Sequence, residues 1–204
     1  MTAEKFSPAE FSAGEKAALL HDLSRFEQYL QYRSFRDEES FDHGARSAEL
    51  IRSFDLLDGD PAAEDILFAV VRHNHMEIGE APDVLARKIA EVVRDADKLD
   101  IFRVIFSFKD DPKVSFSLNN ERKVTPEILA SLREGRCADH RQMRNATDFF
   151  AGKIRWFYEL NFPESRRIAL RRRLLPKLAA LLEGLPELPP LFADAADHLK
   201  KECE

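Results

Sequence analysis

Apolar residues recur along this chain at intervals of three and four, the spacing that gathers them on one face of an α-helix. Residues 1–11 read as irregular. Ser12-Ala13-Gly14-Glu15 has the form of a capping box, and the pattern predicts a helix from there through Leu19, Leu20 and Leu23 to about Leu30. Residues 33–41 read as a polar loop with two aromatic anchors, Phe35 and Phe41. A second helix starts near Asp42 and carries Ala48, Leu50, Ile51 and Phe54. Gly59-Asp60-Pro61 breaks the chain, and Pro61 suits the first turn of a helix through Ile66, Leu67, Val70 and Val71 to His73. Beyond Glu80-Ala81-Pro82-Asp83 a long helix sets Leu85, Ile89, Val92, Ala96 and Leu99 at helical spacing, while Val93, Ile101 and Val104 imply burial on more than one side. Lys109-Asp110-Asp111-Pro112 closes this half. Val114–Leu118 alternates as a short extended piece, and Thr125-Pro126-Glu127 opens another helix. Residues 140–161 and 164–183 carry further helical patterns, and a final helix runs from Leu191 to Lys200. With only seven glycines for tight turns, the fold class is all-α. It is read as one domain over residues 1–204, a core over 1–110 with a helical C-terminal extension over 111–204 packed on it.

Composition narrows this little. The chain is 44% hydrophobic and 33% charged, ordinary for a soluble globular protein. A net charge of -6 gives no strong nucleic-acid signal. Cys137 and Cys203 have no metal or redox spacing and suit a reducing compartment. The N-terminus lacks the apolar core of a signal peptide, and no apolar run reaches the ~18–20 residues that span a membrane, so a soluble, cytoplasmic protein is expected. Residues 133–177 hold twelve Lys/Arg against five Asp/Glu, read first as a solvated face and second as a rim that steers an anionic substrate.

The polar residues that interrupt the apolar pattern carry the chemistry. His21-Asp22 ends an apolar run, and Asp97 falls on an apolar stripe of the long helix, where an unpaired charge is expensive. Imidazole and carboxylate together are ligand types for divalent transition metals. Three further segments follow: Asp42-His43-Gly44, Arg72-His73-Asn74-His75, and Arg94-Asp95-Ala96-Asp97-Lys98-Leu99-Asp100. There is neither a phosphate-binding glycine loop nor a G-x-S-x-G nucleophile turn.

In order, spacing and flanks these segments resemble the HD-domain superfamily of metal-dependent phosphohydrolases, helical bundles named for the His-Asp doublet, and most closely small bacterial members. The resemblance runs over about residues 13–110, and more weakly to Trp156–Pro163. It implies metal ligation by His21, Asp22 and Asp97, with Asp95 as the fallback, facing solvent or pairing with Arg94 if it is not a ligand. It implies that His43 and His73 help to hold a second ion or contact phosphate, with His75 as a neighbour, and that Asp22, His43 and His73 carry the catalysis. Arg25 and Lys98 are then substrate-binding cations, or Lys98 pairs with Asp95 or Asp22. The implied cofactor is one or two divalent ions (Mn, Fe, Ni, Co or Zn). The implied activity is phosphomonoesterase or phosphodiesterase chemistry on a small phosphorylated substrate such as a nucleotide, by a monomer or homodimer. One departure stands out. The superfamily places another metal-binding histidine on a helix ahead of the doublet, and no histidine precedes His21. A start further upstream, a site working with one ligand fewer, or a catalytically impaired protein that binds a nucleotide or partner as a regulator would each account for it. The Gly-Tyr-Pro element of the branch that cleaves cyclic dinucleotides is missing after His75.

Overall fold

A computed structural model describes residues 6–108 and 121–201. The described residues are predominantly helical and contain no strand, in agreement with the all-α reading. No helix among them is long and apolar enough to cross a membrane. Contacts divide the chain into two compact units, Met1–Asp97 and Lys98–Glu204. The extended piece predicted at Val114–Leu118 lies outside the described residues.

The first unit begins with α1 (Pro8–Leu20), which starts earlier than the pattern predicts. Ser7, not Ser12, is its cap, exchanging bonds with Glu10 in a capping box, and Pro8 occupies the first turn. The helix buries small residues, Ala13, Gly14 and Ala17, whereas Leu19 is 82% exposed. The predicted run to Leu30 is broken at His21–Ser24, and α2 spans Arg25–Tyr32. Tertiary bonds explain the break. The Ser24 N–H donates to Ser47 Oγ at 3.0 Å, and the Ser24 hydroxyl donates to the His43 carbonyl at 2.8 Å. The N–H that would have continued the ladder to Leu20 is therefore taken by another helix.

That other helix is α3 (His43–Ser53), capped by the Asp42 carboxylate on Ala45 N–H. It packs with α4 (Ala63–Arg72), which also packs on α1. Gly44 permits the α3–α4 approach. A Cβ there would lie 2.7 Å from Asn74 Oδ1 and 2.9 Å from the Val70 carbonyl oxygen, too close for any other residue without a shift. A core of Ala17, Ile51, Ile66, Val70, Ile89 and Val93 fills the unit. Ile89 and Val93 belong to α5 (Val84–Phe108), the long helix of the sequence pattern. Of that helix's predicted stripe, Ala96 is exposed, because the buried face of this part runs through Ala86, Ile89, Ala90 and Val93 instead.

In the second unit, the remaining turns of α5 pack with α6 (Pro126–Arg133), α7 (Ala146–Gly152), a 3-10 stretch (Lys153–Tyr158), α8 (Pro163–Arg171), α9 (Leu174–Leu181) and α10 (Pro189–Lys201). Phe102 is its aromatic centre, with its ring 4.9 Å from Phe157 and 5.7 Å from Trp156.

Candidate metal centre

Three histidines reach one carboxylate from three helix ends. His21 follows the last residue of α1, His73 follows the last residue of α4, and His43 is the first residue of α3. At a helix C-terminus the last carbonyls have no intrahelical partner. Two of the rings use them: His21 Nδ1 donates to the Ala18 carbonyl and His73 Nδ1 to the Val70 carbonyl, each at 2.7 Å. His43 Nδ1 meets Asp37 Oδ2 at 2.6 Å. With every Nδ1 anchored on an acceptor, each neutral ring presents an unprotonated Nε2.

Those Nε2 atoms surround Asp22. His21 Nε2 lies 3.6 Å from Oδ2, while His43 Nε2 and His73 Nε2 lie 3.4 and 3.7 Å from Oδ1. His43 Nε2 and His73 Nε2 are 2.9 Å apart, two electron pairs face to face. Asp97 Oδ1 is 3.7 Å from His21 Nε2. Two atoms each bound at ~2.0–2.1 Å to one ion lie roughly 2.9–3.4 Å from each other. The His43–Asp22 and His43–His73 spacings fall in that range and the other three are 0.2–0.3 Å wider, and the mixed nitrogen and oxygen set suits a transition metal. The ligand atoms of His21, Asp22 and His73 all lie within 4.8 Å of one another, as do those of Asp37, Asp42 and His43.

The electrostatics follow from the crowding. Burial works against ionisation of Asp22, but His73 beside it, with the nearby His21, Arg25 and His43, outweighs that cost and holds the carboxyl well below the ordinary range. Burial likewise opposes a charge on His21, yet the adjacent Asp97 and Asp22 carboxylates favour its protonated form and leave its pKa raised. Asp37 is lowered to about 2, the cost of burial being overcome by its bond to His43.

The sequence-predicted residues fall as follows. His21, Asp22, His43, His73 and Asp97 come together. Arg25 joins them, its Nε 3.2 Å from Asp22 Oδ1 and one terminal nitrogen 3.0 Å from His43 Nε2. Lys98 belongs to the second unit, where it is buried with Nζ 3.3 Å from Glu159. Asp95 is 2% exposed and does not face solvent. Arg94 donates to the carbonyls of Arg72, His73, His75 and Met76, a cation closing the C-terminal end of α4 beside His73. His75 is a neighbour, 3.3 Å from Asp42. His198 stacks on Tyr158 in the second unit. Sequence reasoning missed Asp37 and Asn74. Asn74 donates to Asp37 at 3.2 Å and Asp42 at 3.0 Å. The only signal for it was its place between His73 and His75.

A helical bundle with a His/Asp centre defines a class, the metal-dependent hydrolases of the HD type. Comparison with known families agrees: residues 13–101 match the HD domain, and this segment is similar to the HD-domain superfamily. Its members bind divalent metals and are generally phosphohydrolases. No curated protein and no solved structure matches the chain.

Proposed function

We propose that the protein is a metal-dependent phosphohydrolase acting on a nucleotide or another small phosphate ester. The observation that carries this reading is the convergence of three Nε2 atoms on the Asp22 carboxylate, with Asp97 completing the set. The two oxygens of Asp22 face different rings: Oδ2 lies nearest His21, which also neighbours Asp97, and Oδ1 lies nearest His43 and His73. A carboxylate so placed suits a bridging role between two ions, with His21, Asp22 and Asp97 holding one and Asp22, His43 and His73 the other. Divalent ions bound there supply a water of lowered pKa and stabilise charge on phosphoryl oxygens.

The chain's own residues do the rest. Asp22 keeps its negative charge at neutral pH and fixes the three rings around it. Arg25 offers a guanidinium at the same carboxylate, a donor geometry suited to phosphate oxygens. If only the ion held by His21, Asp22 and Asp97 binds, His43 or His73 protonated on both nitrogens would donate a proton to the leaving oxygen.

The test is hydrolysis of a nucleoside monophosphate and of a simple aryl phosphate by metal-stripped protein with Mn, Co or Ni added back. Activity that returns with metal and is absent in Asp22→Ala supports the reading. Stoichiometric metal binding with no hydrolysis of either ester counts against it.

One observation favours the alternative, an impaired HD fold that binds a nucleotide as a regulator. The Arg25 guanidinium already donates to His43 Nε2, the electron pair a second ion needs. Under this alternative the wild type binds a nucleotide without turning it over.

A further inference from the structure

We infer that Asp37, a loop residue outside the superfamily motifs, is a positioning residue of the metal centre that fixes the tautomer of His43. This rests on the reading of His43 as a ligand. The helix-end histidines borrow a carbonyl three residues back. His43 opens α3, so no preceding helical turn offers it one. The α2–α3 loop brings a carboxylate instead, and Asp37 Oδ2 sits 2.6 Å from His43 Nδ1 and 3.4 Å from its backbone N–H.

Asp37 is itself held from several sides. Its Oδ1 accepts from Gln28 Nε2 at 3.0 Å and from Arg25 at 3.3 Å, while Asn74 reaches its Oδ2. Gln28 is 0% exposed and is the only fully buried side chain of α2. Its amide also donates to Ser40 Oγ at 2.7 Å, so the loop carrying Asp37 is tied at two points to one buried group. The hydrogen-bond network assigns the proton of His43. Were it on Nε2, a ring lone pair would face Asp37 Oδ2 at 2.6 Å, two acceptors in contact. With it on Nδ1, the bond to Asp37 forms and Nε2 is left open toward Asp22 and His73. A carboxylate behind a ligating imidazole raises its basicity and locks its orientation, and losing such a partner typically costs 10–100-fold in metal affinity.

The experiment uses the full chain labelled with 15N-histidine, metal-free, in a long-range 1H–15N correlation spectrum. The wild type is expected to show His43 protonated on Nδ1, and Asp37→Asn to shift it toward Nε2. Cobalt affinity, measured by competition with a chelator, should fall about 10–100-fold in Asp37→Asn. Adding Asp37→Asn to His43→Ala should cost nothing more, because Asp37 acts through that ring. An unchanged His43 tautomer in Asp37→Asn overturns the inference, as does a further tenfold loss in the double variant. If Asp37→Asn does not fold, Asp37→Glu takes its place and must retain the Nδ1 proton; its loss overturns the inference. Wild-type protein that binds no cobalt overturns the metal reading, whereas the spectrum of metal-free protein still decides the role of Asp37.

Discussion

Lys98, Glu159 and Cys137 in the second unit and His21, Asp22, His43 and His73 in the first are both clusters of ionisable groups set beside apolar cores, and they are closed differently. In the second unit Glu159 receives the Cys137 thiol on one oxygen and the Lys98 ammonium on the other, so charge meets opposite charge and the thiol stays neutral. In the first unit three ring nitrogens present electron pairs to each other and to a carboxylate, and the cation nearest to them is the Arg25 side chain. The lesson is that burial alone does not mark a site. A buried cluster whose charges cancel among themselves is architecture, and one whose acceptors face each other is built for a cation from outside.

The most severe way to break this contrast is Asp22→Ala. Metal-activated hydrolysis should fall to the uncatalysed background in a phosphate-release assay. Cobalt at 100 times its Kd should stabilise the wild type by about 2.7 kcal/mol against urea, and the substitution should remove that gain. Next in size is Glu159→Gln, which removes the carboxylate 3.3 Å from the buried Lys98 ammonium. Loss of one partner from a fully buried pair costs ~3–5 kcal/mol, and with Glu159 partly exposed about 2 kcal/mol is expected in urea unfolding. Cobalt affinity should not change, and a change would mean that the two clusters are not separable.

The sequence made one side of the comparison visible and hid the other. His21-Asp22, His43, His73 and Asp97 were legible because each is a polar residue in an apolar stretch at a helix end or on a helix stripe. Asp37 was not, because Arg36-Asp37-Glu38-Glu39 reads as any solvated loop, and only folding shows which of three acids meets a ring. Phe35, expected as an anchor, is 57% exposed and stacks on Tyr29. The break at His21–Ser24 was hidden for a related reason: local helix pattern favours continuation, and the bonds from Ser24 to α3 that stop it are long-range.

Gly44→Ala sharpens the contrast from the packing side. A methyl group against Asn74 and the Val70 carbonyl forces α3 and α4 apart at the point where His43 and His73 meet. A loss of about 1–2 kcal/mol and weaker cobalt binding are expected together, from urea titration and chelator competition. Loss of stability with unchanged cobalt affinity would show that the ring positions do not depend on this approach.

The smallest effect is on pH. Asp22 and Asp37 have pKa values lowered from an ordinary 3.8, so metal-free folded protein binds fewer protons there than the unfolded chain, and their contribution fades as pH falls below 3.8. His21, raised above 6.5, contributes fully below that value and loses its contribution as pH rises through the raised one. Cys137 is pushed up to about 11 from 9.0 by burial and the Glu159 carboxylate, so its contribution disappears between those values as pH rises. Urea midpoints across pH should therefore be highest between about 4 and 6.5. Glu159→Gln should shrink the alkaline step, leaving the part due to burial of the thiol, and leave the acid one unchanged.

The two carbonyls that hold His21 and His73 bear on how such a centre is inherited. Each ring and its anchor lie within four consecutive residues of one helix end, so the orientation travels with the segment and survives drift elsewhere in the chain. His43 has no such independence, since its anchor lies six residues upstream in a loop free to change length. A lineage that lengthens or shortens the α2–α3 loop therefore puts His43 at risk first. Among descendants of this chain, His21 and His73 should outlast His43.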